Sequence, residues 1–167
     1  LRKVQEQQWI NSDQSDVDVI GFCYEHGIAC FHLLFIRQGK VLGSRSYYPK
    51  IPKGTESAEL YMAFLLQFYL NSAAGRQIPR QILHDCDSLD QAAIEEVLKG
   101  EAGYKVSLYQ NTRGERAKLV AMANKNARIG LESKLAQKGT QLQRLLALEQ
   151  ALDLDNKVAR MECFDIS

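Results

Sequence analysis

Val17-Asp18-Val19-Ile20-Gly21-Phe22-Cys23-Tyr24, then Glu25-His26-Gly27, then a second apolar run over residues 28–36, is the stretch whose reading decides the fold. The first run is apolar and β-branched, as a buried strand requires, and Glu25-His26-Gly27 has the composition of a turn. Gln38-Gly39 ends the second run, and residues 40–48 form a third with a more polar alternation that predicts one solvated face. Connections this short and glycine-containing join antiparallel neighbours, so residues 17–48 predict a three-stranded meander.

Downstream the period changes from two to 3.6. Pro49-Lys50-Ile51-Pro52-Lys53-Gly54 is a loop, and Thr55 or Ser57 can cap a helix to about Asn71, with Leu60, Phe64 and Phe68 on one face. Ala73-Ala74-Gly75 breaks it, and Gln81-Ile82-Leu83-His84-Asp85 is a short strand. Ser88-Leu89-Asp90-Gln91 has the form of a capping box opening a helix that Gly100 would end. Residues 105–110 read as a fifth strand. From Gly114 a helix is expected with Leu119, Met122, Ala123, Ala127, Leu131 and Leu135 inward, interrupted at Gly139, with Thr140 capping a further helix to Leu152. Upstream, residues 1–10 are the end of a helix, residues 11–16 a polar linker, and residues 158–167 a last strand. The order β-β-β-α-β-α-β-α predicts an α/β fold, a mixed sheet with helices on its faces in the RNase H-like order.

Apolar residues make up 46% of the 167 and charged residues 25%, proportions that argue against disorder over most of the chain. No run reaches the roughly 18 apolar residues of a membrane span, and the polar first residues carry no signal core, so a cytoplasmic location is expected. Cys23, Cys30, Cys86 and Cys163 form no C-x-x-C pair and read as small buried hydrophobes, not as a metal cluster. His26, His32 and His84 lack metal-ligand spacing, and Trp9 reads as a packing residue. The net charge of +1 conceals an uneven distribution. Six acids (Asp85, Asp87, Asp90, Glu95, Glu96, Glu101) face one base, Lys99, over residues 85–101, whereas residues 105–144 hold nine bases against Glu115 and Glu132. Such a basic tract is either a phosphate-facing surface or the solvated face of long helices.

The final residues, Arg160-Met161-Glu162-Cys163-Phe164-Asp165-Ile166-Ser167, resemble the motif that opens the endonuclease domain of the UvrC family. Val19-Ile20-Gly21-Phe22, Phe35-Ile36-Arg37-Gln38-Gly39-Lys40 and Ser44-Arg45-Ser46-Tyr47-Tyr48 resemble that family's central region. Arg113-Gly114-Glu115-Arg116-Ala117-Lys118, with Asn124 and Asn126-Ala127, resembles a third segment. The resemblance implies the nuclease subunit of bacterial nucleotide excision repair, which incises damaged DNA on both sides of a lesion after UvrA and UvrB have marked it. It further implies that 1–12 is the end of a UvrB-binding helical region and linker, and that 13–138 is a central, non-catalytic RNase H-like domain. Residues 139–157 would then be a connecting helix and 158–167 the truncated first strand of the endonuclease domain. UvrB, damaged DNA and the UvrA-UvrB complex are the expected partners, with no membrane.

On that resemblance Asp165 is the catalytic and metal-binding carboxylate, its partners lying beyond Ser167. Hydrolysis of this type needs several clustered carboxylates holding divalent ions, with magnesium expected, and one carboxylate is not a site. The segment alone is therefore expected to be inactive. An alternative is a self-sufficient nuclease using Asp18, Glu59 and Asp85, which would require Asp18 in register with the others on one face; Phe22 or Cys23 occupies the place where a first-strand carboxylate is needed. A second alternative is a non-catalytic module that docks UvrB or DNA. Arg113, Arg116 and Lys118, after a glycine turn at a helix N-terminus, are the nucleic-acid candidates.

Overall fold

The computed structural model describes residues 16–52, 54–71, 77–110 and 112–152. The expected N-terminal helix and Trp9, the break at Ala73-Ala74-Gly75, and the last strand with Cys163 and Asp165 lie outside the described residues.

The meander is present as read. Strands β1 (Val17–Glu25), β2 (Ile28–Arg37) and β3 (Lys40–Tyr47) are joined by two-residue loops, His26-Gly27 and Gln38-Gly39. Both residues of each loop have positive φ, +50° then +73°, as a type I′ hairpin turn demands. Such a loop fixes the register: Glu25 opposes Ile28, Cys23 opposes Cys30, and Val17 opposes Ile36. Between β2 and β3 the register shifts at Phe35/Ile36, leaving Leu42 as an extra, largely exposed residue on the edge strand.

Helix α1 (Ser57–Leu70) follows, then β4 (Gln81–Leu83), α2 (Gln91–Ala102), β5 (Ser107–Tyr109) and α3 (Glu115–Ala151). The sheet order is β3-β2-β1-β4-β5, with β4 parallel to both β1 and β5. Alternate residues divide its two faces. Ile20, Phe31, Leu33, Ile82 and Leu108 pack against Leu60, Tyr61, Phe64 and Leu65 of α1 and Ile94 and Leu98 of α2. Val17, Val19, Leu34, Ile36 and Leu83 pack against Leu119, Val120 and Ala123 of α3.

Several expected helix ends move. Glu56, not Thr55 or Ser57, stands at the α1 N-cap without a side-chain bond, because the Thr55 hydroxyl donates to the Pro52 carbonyl at 3.0 Å. The cap of α2 is Asp90, whose carboxylate accepts from Ala93 N–H at 3.1 Å, so Ser88 does not form the box. That helix passes through Gly100 and stops at Gly103, whose φ of +75° is the left-handed conformation a C-terminal glycine supplies. Gly139 does not interrupt α3 and Thr140 does not cap: the helix is continuous, and the Thr140 hydroxyl bonds back to the Ala136 carbonyl at 3.0 Å. A helix-interior glycine costs only about 1 kcal/mol relative to alanine, which the good helix formers around it absorb. Met122 turns outward, 39% exposed, and Val120 is buried in its stead.

By internal contacts the chain divides after Leu131. The second unit, described over residues 132–152, is helical to Ala151 and carries Leu142, Leu146 and Leu152 exposed.

Candidate functional site

Metal-dependent phosphodiester chemistry on a sheet of this order would draw carboxylates from β1, from the start of α1 and from the end of β4. The structure places three other side chains together there. Phe22 of β1 stands 5.5 Å, centroid to centroid, from Tyr61 of α1, and Tyr61 stands 6.0 Å from His84 at the end of β4. Tyr61 is fully buried and His84 is 1% exposed. The His84 Nδ1 accepts the Cys86 N–H at 3.3 Å, which assigns its proton to Nε2, a buried atom with no partner among the described residues. Burial lowers the pKa of His84, against a smaller upward pull from Asp85, and so favours the neutral ring.

The acids of the alternative reading are elsewhere, and that trio is corrected. Asp18 is 1% exposed; its Oδ1 accepts from Arg37 Nη1 at 2.7 Å and its Oδ2 from the Tyr69 hydroxyl of α1 at 2.8 Å. Asp85, past the end of β4, instead accepts from Asn124 of α3. Glu59 is solvent-exposed on the first turn of α1. Among the described residues no three His, Cys, Asp or Glu side chains cluster to hold an ion. Asp165 lies outside the described residues.

Arg37, the charge partner of the buried Asp18, is the side chain whose role the sequence reading did not reveal. Its Nη1 also donates to the Ile36 carbonyl at 2.9 Å and the Val17 carbonyl at 3.3 Å, tying the end of β2 to the start of β1. The signal was available: a two-residue loop at His26-Gly27 makes paired residue numbers sum to a constant, placing Arg37 opposite Asp16 and diagonal to Asp18.

The nucleic-acid candidates are not equivalent. Arg116 is half-buried; its Nη2 donates to Gln81 Oε1 at 2.8 Å and its guanidinium lies 5.1 Å from the Tyr109 ring, so it fastens the start of α3 to β4 and β5. Lys118 pairs with Glu115 at 2.8 Å, both well exposed, while Arg113 is exposed in the turn before the helix. Further along α3, Asn124 Oδ1 accepts the Phe22 N–H at 3.0 Å. Asn126 Nδ2 lies 3.4 Å from His32 Nε2, whose Nδ1 is 2.8 Å from Ser46 Oγ. Burial lowers the pKa of His32, in keeping with a neutral ring in this network. Arg116, Asn124 and Asn126 are thus the polar bolts that seat α3 on the sheet.

Comparison with known proteins gives a consistent result. The family model described as the UvrC Ribonuclease H-like domain matches residues 16–134. Over all 167 residues the chain is 47% identical to the UvrABC system protein C of Shewanella pealeana, and 48% identical to that of Cronobacter sakazakii. It spans 27% of the length of each of these curated relatives. Among solved structures, the catalytic domain of human Endonuclease V overlaps 62% of this chain and 49% of its own, at 16% identity and a TM-score of 0.38.

Proposed function

The chain belongs to the UvrC Ribonuclease H-like domain family, and from that premise we propose that it is the central part of the nuclease subunit of nucleotide excision repair. In this reading residues 16–134 are a non-catalytic platform within a protein that incises damaged DNA on both sides of a lesion together with UvrA and UvrB. Incision is metal-dependent, with magnesium as the expected ion, and Asp165 supplies one carboxylate to a site completed elsewhere in the protein. UvrB and damaged DNA are its partners, and the cytoplasm is its place of work.

The observation that carries the platform reading is the aromatic filling of the place where β1, α1 and β4 meet. Phe22, Tyr61 and a neutral His84 offer no carboxylate oxygen to a hard cation. Asp18 is held by Arg37 and Tyr69, within a charge pair whose disruption would leave a buried carboxylate uncompensated.

The test is cleavage of a lesion-bearing, pre-nicked duplex with magnesium. The 167-residue chain, verified as folded by circular dichroism, should be silent, and the intact protein with UvrA and UvrB should incise twice. Cleavage by the chain itself, abolished by Asp18→Asn, would overturn the platform reading. Absence of UvrA- and UvrB-dependent incision by the intact protein would overturn the repair assignment.

A further inference from the structure

The sheet of residues 16–131 separates charge as well as core. On one side α1 and α2 with their N-caps carry six acids, Glu56, Glu59, Asp90, Glu95, Glu96 and Glu101, against one base, Lys99. On the other side α3, from its start to Leu131, carries Arg116, Lys118, Lys125 and Arg128 against Glu115, with Arg113 in the turn before it. Arg116 is committed to Gln81 and Tyr109. Arg113, Lys125 and Arg128 are exposed and make no ion pair among the described residues. Among the described residues Lys118 pairs with Glu115 alone, a surface pair worth under about 1 kcal/mol that a polyanion would displace.

We propose that the outer face of α3, through Arg113, Lys125 and Arg128, is the surface this domain turns toward the phosphate backbone of duplex DNA. The proposal rests on the repair assignment above and adds which face meets DNA. Its support is charge complementarity: phosphates attract this face, and the acids of the α1/α2 side repel them, so the domain has one electrostatically permitted orientation. The geometry is also suitable. From Lys118 to Arg128 the helix runs about 15 Å, a length that covers about four phosphates of one strand at a 3.4 Å rise. The contacts are to phosphate alone, so the surface positions the domain without reading sequence.

The experiment measures anisotropy of a fluorescein-labelled, undamaged duplex with the 167-residue chain, titrated across about 50–200 mM salt. Neutralising Lys125 and Arg128 together (Lys125→Gln with Arg128→Gln) removes two exposed charges and no packing. Binding should weaken at least about ten-fold at low salt, and the log–log salt slope should fall by about two, near 0.9 per lost phosphate contact. Lys99→Gln, on the acidic side, should change neither. An unchanged slope in the double variant, or an equal loss from Lys99→Gln, overturns the inference. So does loss of UvrB capture with DNA binding intact, which would make the face a protein contact. None of these outcomes alters whether the unmodified intact protein incises with UvrA and UvrB, which judges the repair assignment separately.

Discussion

Asp18 sits between Val17 and Val19 in a strand whose first five residues are all buried, an expensive place for a charge. Its sequence invites a metal-ligand reading, because a carboxylate on the first strand is what such a nuclease needs. The fold answers with Arg37 and Tyr69. Even so, desolvation outweighs the Arg37 attraction and the bonds from Arg37 and Tyr69, and the carboxyl stays above its ordinary value of 3.8. An acid whose pKa is raised on folding contributes its stability in full below the unfolded value and loses it as pH rises through the folded one. The difference in unfolding free energy between the native chain and Asp18→Asn should therefore shrink as pH is raised from below 3.8, in urea titrations at stepped pH. Arg37→Met should cost about 3–5 kcal/mol at neutral pH by stranding the carboxylate. That loss should narrow on acidification, as Asp18 takes up its proton. A small, pH-independent loss would mean that Arg37 is not the compensating charge. Asp18 was visible in sequence, its role was not, because faces and partners are properties of register.

At the scale of elements, the strands and helices were legible and their ends less so. Hairpins read correctly because His26-Gly27 and Gln38-Gly39 are purely local signals. Cap positions shifted where two candidates competed: Asp90 lies beside the first helical residue and wins over Ser88, while Gly103, rather than Gly100, takes the left-handed position. The seating of α3 was illegible, since Asn124, Asn126 and Arg116 reach residues that are far away in sequence. One glycine governs that seating. A Cβ on Gly21 would collide with the backbone of Ala123 and Asn124, so β1 and α3 touch main chain to main chain. Gly21→Ala should destabilise by about 3 kcal/mol or more, as overpacking against backbone that cannot swing aside. Gly43→Ala, on the edge strand with open space around its Cβ, should stay within about 0.5 kcal/mol of the native chain. Equal chemical-denaturation midpoints for the two variants would refute the close approach.

Over the whole molecule, the RNase H-like order was readable from the alternation of periods, whereas the aromatic plug of Phe22, Tyr61 and His84 was not. Only the absence of a carboxylate at Phe22 hinted at it; that a tyrosine and an uncharged histidine fill the same space depends on how α1 and β4 pack. The charge asymmetry was likewise visible as acidic and basic tracts, and it became two opposed faces once the sheet stood between α2 and α3. The two tight hairpins carry one more consequence, for the time course of folding. Contacts within β1, β2 and β3 close over two residues, whereas Asp18 meets Ile82 across 64 positions of chain. Short closures cost little entropy and form first; the parallel pairing must wait for them. Disturbing the Gln38-Gly39 loop, for example by Gly39→Ala, should therefore slow refolding in stopped-flow measurements. Ile82→Val should leave the refolding arm nearly unchanged and hasten unfolding instead. The same turns that set the strand register thus also set the clock by which the domain assembles.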